Sequence, residues 1–289
     1  MTETDIAPKR APARPCIFCG KIGVSNEHLW PRWMHDLLPD VKRLQKARTQ
    51  MCSLIGSDGR HYHQPYAPRM RQGSTLTTKI RAQCRSCNSG WMSQVEEAAR
   101  PYLTTMIGGS AVTLTPAHQR AVATWIALKT VIGEYSHAQS KAISAADCHW
   151  LKHEGEPPAR WLISLACCDG TDWRAQYAHE GMTVPPADGS PPELVDGSPV
   201  RNIQSTTIGL GRLIVQASSS ATARIRIDSQ HDLNWGLVQI WPPSSADVYW
   251  PGAVTLDDSA VNTLALAVGM ALQQSGIISP SPTAHGPPR

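Results

Sequence analysis

The sequence predicts an α+β protein, in which a cysteine-rich N-terminal region precedes a larger region built on a mostly antiparallel sheet. Three observations lead to this prediction. Two Cys-x2-Cys pairs lie before residue 90. Apolar residues recur with a helical period over 116–137. From residue 161 onward the apolar runs are short and separated by turns, which is typical of strands.

The two cysteine pairs have the spacing of a structural zinc site. The first pair is Cys16 and Cys19, and the second is Cys84 and Cys87. Four thiolates satisfy Zn²⁺ tetrahedrally and leave no open position for chemistry. The alternative, a redox Cys-x-x-Cys motif, needs one pair in a thioredoxin-like βαβ unit, and the sequence does not predict such a unit. We therefore expect one structural Zn²⁺ bound by these four residues.

The residues around these pairs resemble the HNH endonuclease family, the ββα-metal nucleases with a zinc-binding Cys-x2-Cys frame. Gly20 follows the first pair, Glu27-His28-Leu-Trp-Pro31 comes next, and Asn88 directly follows the second pair. The resemblance implies that His28 is the general base that activates water. It implies that Glu27 and Asn88 bind a catalytic Mg²⁺ or Mn²⁺. It also implies an endonuclease that hydrolyses the phosphodiester bonds of double- or single-stranded DNA.

One residue of the family pattern has no counterpart. The family has a middle Asn that braces the loop of the catalytic His, but no Asn occurs here between Asn26 and Asn88. A catalytically inactive, HNH-like zinc module that only binds nucleic acid is therefore the alternative interpretation. The presence of the other three residues favours the nuclease. The pairs are also far apart in the chain, which predicts an insertion between Trp33 and Ser74.

Positive charge is concentrated in the same region. Residues 1–107 contain 16 Lys and Arg against 8 Asp and Glu, whereas residues 108–289 contain 11 against 15. An excess of positive charge is typical of phosphate binding, although a basic surface that only confers solubility gives the same count. The candidates for contacts with DNA phosphates near the second cysteine pair are Lys79, Arg81 and Arg85.

We expect four segments along the chain: a disordered tail over 1–13, the zinc-binding HNH domain with its insertion over 14–107, an α+β domain of unknown role over 108–278, and a disordered tail over 279–289. Both tails are rich in proline and polar residues. The Gly108-Gly109-Ser110 segment suggests a hinge between the two domains.

Within the first domain, a strand should end at His28. A helix should run from Asn88 to a point before Pro101, because the residue before a proline disfavours the helical conformation. In the helix predicted over 116–137, Lys129 falls on the apolar stripe, and we expect only its aliphatic stem to be buried.

In the second domain, the patterns predict the following order: a helix over 116–137, a short helix over 147–153, strands over 161–168, 173–179, 206–216, 223–227 and 237–241, and a helix over 257–274.

We expect neither membrane insertion nor secretion. No apolar run approaches the roughly 18 residues that a membrane span needs, and no apolar signal segment opens the sequence. Four of the eight cysteines are assigned to zinc, so we expect a reducing, cytoplasmic setting. The sequence leaves the oligomeric state open, a homodimer included.

Overall fold

The structure is a computed structural model of the chain. It describes residues 14–38, 49–55, 61–65, 75–136, 140–184, 186, 188, 190, 193–195, 198–222, 225, 227 and 235–274. For residues 49–55, 61–65, 75, 198–199 and 271–274 it describes the backbone alone. The two predicted tails and most of the strand predicted over 223–227 lie outside the described residues.

The strands of the described residues are β1 (Glu27–His28), β2 (Thr49–Ile55), β3 (His61–Pro65), β4 (Lys79–Ile80), β5 (Val112–Leu114), β6 (Trp161–Cys168), β7 (Ala175–Met182), β8 (Leu194–Val195), β9 (Ser198–Pro199), β10 (Ile203–Leu210), β11 (Leu213–Ser220), β12 (Val238–Trp241), β13 (Val248–Trp250) and β14 (Thr255–Leu256). The helices are α1 (Met34–Leu37), α2 (Arg85–Ser89), α3 (Trp91–Ile107), α4 (Pro116–Glu134), α5 (Ala145–Glu154) and α6 (Asp258–Gln274). Helices and antiparallel sheets occur together, so the α+β class is confirmed.

The largest sheet in the described part of the chain has eight strands. Seven follow the order β12-β6-β11-β10-β7-β2-β3, and β14 pairs with β6. The pairs β2–β7 and β14–β6 are parallel, and the other pairs in this sheet are antiparallel. The prediction of a mostly antiparallel sheet is thus correct. Strands β2 and β3 come from the predicted insertion, and they extend this sheet beyond β7.

Helix α4 lies at the centre of the core. A capping box starts it, in which the Thr115 hydroxyl accepts a hydrogen bond from the His118 amide. Three apolar residues of the predicted stripe, Val122, Trp125 and Ile126, are fully buried. The helix packs against α3 and against β11 and β12. One apolar cluster runs from the cysteines of the two Cys-x2-Cys pairs through α3 and α4 to the sheet, so both regions of the sequence share a core.

The helix expected to end before Pro101 was predicted wrongly. Helix α3 continues past this proline and buries Leu103 and Met106 beyond it. Proline leaves the carbonyl of Glu97 without its helical donor, but both residues are exposed, so water can satisfy that carbonyl. The helix also does not begin at Asn88, because that residue belongs to the separate, five-residue α2.

The C-terminal end of α3 is held by the sheet. The carbonyl of Ile107 accepts a hydrogen bond of 3.0 Å from the amide of Arg212, in the turn between β10 and β11. A side chain on Gly211 would meet the same carbonyl at 2.3 Å, which explains a glycine in this turn. The division of the chain into domains at residue 107 stays a prediction. Among the described helices, none combines the length and the apolar character that a membrane span requires.

Candidate functional site

The four predicted zinc ligands converge on one point. Their Sγ atoms all lie within 4.8 Å of one another. The Cys16 and Cys87 sulfurs are 3.9 Å apart, and the Cys19 and Cys84 sulfurs are 3.6 Å apart. A tetrahedral Zn²⁺ with Zn–S bonds of about 2.3 Å separates its sulfurs by about 3.8 Å. The cluster therefore fits a metal ion such as zinc.

Local backbone geometry forms each half of this cluster. In the first half, the Gly20 amide donates to the Cys16 carbonyl at 2.8 Å, and Gly20 has a φ of 70°, in the region that favours glycine. In the second half, Cys84 is the N-cap residue of α2. The Ile17 amide donates to the Ala82 carbonyl at 3.1 Å, which joins the two halves directly.

The thiols differ in acidity. Burial opposes ionisation of Cys84, but hydrogen bonds from the Ser86 hydroxyl and the Cys87 amide outweigh it and lower the pKa of Cys84 to about 6. Burial, together with the adjacent thiols, raises the pKa of Cys87 to about 12. Burial also raises the pKa of Cys16. Since a zinc ion binds thiolates, it must displace these protons, and zinc affinity should fall as the pH falls.

A cavity of about 180 Å³ is lined in part by Asn88, the residue that directly follows Cys87 in the chain. It is lined by the three predicted catalytic-site residues Glu27, His28 and Asn88, and also by Trp30, Glu96 and Lys129. The side chains of Glu27, His28 and Asn88 are each partly exposed. Residues 60 positions apart in the sequence thus share one cavity that solvent can reach.

Two short strands and α2 bring these side chains together. Strands β1 and β4 are antiparallel, with Glu27 opposite Ile80 and His28 opposite Lys79. The Leu29 amide donates to the Thr78 carbonyl at 2.8 Å and extends this pairing by one residue. Helix α2 follows β4 closely in the chain and carries the amide side chain of the candidate site.

Backbone contacts hold the segment that leads into β1. The Ser25 amide donates to the Gln83 carbonyl at 2.9 Å, and the Ser25 hydroxyl donates to the same carbonyl at 3.2 Å. Asn26, the side-chain amide two positions before the candidate base in the chain, is exposed. The strand that carries Glu27 and His28 is therefore held by contacts to the residue before the second cysteine pair, without an Asn side chain.

Both cationic side chains and the carboxylate of Glu27 lie near His28. Burial, and then the charges of Lys79 and Arg32, lower the pKa of His28, which favours the neutral ring at neutral pH. Lys79 therefore lies near the cavity, as a phosphate contact would require. Arg81 and Arg85 are exposed and do not line the cavity. Arg32 was not among the predicted phosphate contacts, although its position directly after the Glu-His-x-x-Pro motif was a usable signal.

Sequence reasoning missed two charged residues of the cavity. Lys129 comes from α4, and its side chain is only 6% exposed. The prediction that only its stem is buried was wrong, because its ammonium lies inside, 3.7 Å from the Glu96 carboxylate. Glu96 comes from α3 and accepts a hydrogen bond of 3.1 Å from the Trp33 indole. The position of Lys129 on the apolar stripe of α4 was the signal that could have identified it.

Comparison with protein-family models, with curated proteins and with solved structures finds no match to this chain. The resemblance to HNH endonucleases therefore depends on the motif residues themselves.

The cluster predicts a zinc stoichiometry that depends on the four cysteines alone. Cys87→Ser should lose most of the bound zinc, because serine replaces a soft ligand by a hard, weakly acidic one. The zinc content of the purified protein, measured by atomic emission, checks this. Cys148→Ala is the matched control, since Cys148 is equally buried but lies outside the cluster. Full zinc content in Cys87→Ser would contradict the assignment.

Proposed function

We propose that the protein is a metal-dependent endonuclease of the HNH type, which hydrolyses DNA phosphodiester bonds. The observation that carries this proposal is the single cavity shared by Glu27, His28 and Asn88, the last of which directly follows the cluster residue Cys87 in the chain. Each side chain alone has a common structural explanation. A base and two oxygen ligands in one solvent-accessible cavity match what hydrolysis of a phosphodiester requires.

The two metals have different tasks in this proposal. Zinc, held by four thiolates, has no free position and fixes α2 relative to β1. Glu27 and Asn88 offer a carboxylate and an amide oxygen, which are donors that Mg²⁺ and Mn²⁺ prefer. A divalent cation bound there supplies charge stabilisation for the scissile phosphate and for the leaving 3′ oxygen.

His28 is the general base in this proposal. A neutral imidazole nitrogen can accept a proton from the attacking water, and the cationic neighbours Lys79 and Arg32 favour the neutral ring. Lys79, Arg81 and Arg85 are all exposed and can bind the DNA backbone outside the cavity. Their contacts fix the position of the duplex or single strand without reading its sequence.

A second candidate function follows from the missing middle Asn. A zinc module of this shape that only binds nucleic acid would keep the cluster and the basic residues, but it would not need the base. The backbone contacts of Ser25 with Gln83 favour the nuclease, because they hold the strand of His28 without that Asn.

His28→Ala should reduce nicking of a supercoiled plasmid in Mg²⁺ by about 10²- to 10⁴-fold, which is the usual contribution of a general base. Zinc content and DNA affinity should stay close to those of the parent, since the frame is untouched. His153→Ala is the matched control, because His153 is an exposed histidine outside the cavity.

Asn88→Ala should raise the Mg²⁺ concentration needed for half-maximal nicking. A parent that binds DNA but never nicks it would favour the binding module.

The triple substitution Lys79→Gln, Arg81→Gln and Arg85→Gln should weaken DNA binding similarly for all sequences. Each lost phosphate contact should lower the slope of log affinity against log salt by about 1, since fewer counterions are released. Fluorescence anisotropy with labelled DNA at several salt concentrations measures this slope. Lys152→Gln is the control, since Lys152 lies on α5 and outside the cavity. An unchanged slope in the triple variant would show that the DNA surface lies elsewhere.

A further inference from the structure

Lys129 is a buried cation with little compensation from the protein. Its side chain is 6% exposed, and the Glu96 carboxylate at 3.7 Å is its only ion pair within 4.0 Å among the described residues. That separation is too long for a hydrogen bond. The Trp125 ring lies 5.6 Å from the ammonium and adds a weaker cation–π attraction. Among the described residues, the ammonium therefore makes no closer ion pair than the one with Glu96, and Lys129 lines the cavity described above.

The carboxylate near Lys129 is also engaged elsewhere. Its other oxygen accepts the 3.1 Å hydrogen bond from the Trp33 indole, and 30% of the Glu96 side chain is exposed. Burying an ammonium that is poorly paired costs several kcal/mol. Burial accordingly lowers the pKa of Lys129, with Glu96 opposing the shift. Such a cost is tolerated where a ligand supplies the missing acceptor.

The cavity indicates what that ligand is. Lys129 lines the same 180 Å³ space as Glu27, His28 and Asn88. Glu27, Glu96 and Lys129 all line this space, so its charged residues suit a divalent cation together with an anion. The cations Lys79 and Arg32 near His28 add to the attraction for an anion.

We infer that Lys129 forms an anion subsite for a phosphate group within this cavity, so that α4 of the larger region completes the site that β1 and α2 begin. This inference rests on the proposed function for the identity of the substrate as a phosphodiester. The anion subsite itself rests on the cavity and on the buried, poorly paired ammonium. The larger region, for which the sequence predicted no role, then contributes directly to substrate binding.

A purely structural ion pair with Glu96 is the competing explanation, and the two make opposite predictions. If Lys129 binds phosphate, Glu96→Gln should leave phosphate affinity unchanged or increase it, because a competing negative charge is removed. If Lys129 only forms a structural ion pair with Glu96, the same substitution should lower phosphate affinity as much as Lys129→Met does. Lys129→Met keeps the length of the stem and removes the charge.

The test is the dissociation constant of inorganic phosphate for the full-length, zinc-loaded protein, measured by ³¹P NMR line broadening at constant ionic strength and without Mg²⁺. Lys129→Met should weaken phosphate binding by about 10- to 100-fold, the usual effect of losing one charged hydrogen bond. Lys129→Arg should retain most of the affinity. Lys152→Met, the same change on α5 outside the cavity, should bind as the parent does. Thermal melts establish that each variant is folded.

Two results would overturn the inference: Lys129→Met binds phosphate as tightly as the parent, or Glu96→Gln loses as much affinity as Lys129→Met. Plasmid nicking by the same proteins separates this inference from the proposed function. A parent that binds phosphate through Lys129 but does not nick DNA retains the anion subsite and contradicts the nuclease. A parent that nicks DNA, with Lys129→Met equal to it in both assays, retains the nuclease and contradicts the subsite.

Discussion

The four-thiol cluster is the constraint on which the candidate site depends. It joins Cys19 to Cys84, which are 65 positions apart, across a distance of 3.6 Å. The secondary-structure elements next to the cluster are too short to be stable alone. Strands β1 and β4 have two residues each, and α2 has five. Isolated pieces of this length are unstable in water. The cluster, together with the β1–β4 pairing and the contact of Ser25 with Gln83, therefore fixes the Glu-His pair of β1 relative to the amide of α2, and any chemistry in the cavity depends on this arrangement.

The second constraint is the helix pair α3–α4. Helix α3 follows the cluster directly, and α4 packs against both α3 and the large sheet. This packing places Lys129 and Glu96 in the cavity wall beside residues from the first region. Because one apolar cluster spans both regions, movement of the sheet relative to α3 would change the cavity. In this interpretation the larger region contributes to the site as well as supporting it.

The sequence was sufficient to predict the features that depend on local residue patterns. The spacing of the cysteines identified the cluster, the period around Trp125 identified α4, and the motif residues Glu27, His28 and Asn88 do share a cavity. It could not predict the parallel pairing of β2 with β7, because partners so distant in the chain leave no local pattern. It also failed at Lys129, since the general tendency of lysine to expose its charged end is overridden where a cavity lies beneath the helix.

The most direct test of the central claim is a crystal structure of the His28→Ala protein with DNA and Mn²⁺, in which uncleaved substrate can be observed. Anomalous scattering distinguishes manganese in the cavity from zinc at the cysteines. We expect one manganese ion bound by the Glu27 carboxylate, the Asn88 amide oxygen and a DNA phosphate oxygen, at roughly the 2.1 Å typical of octahedral oxygen ligation. Manganese that binds without either side chain, or DNA bound away from the cavity, would contradict the claim.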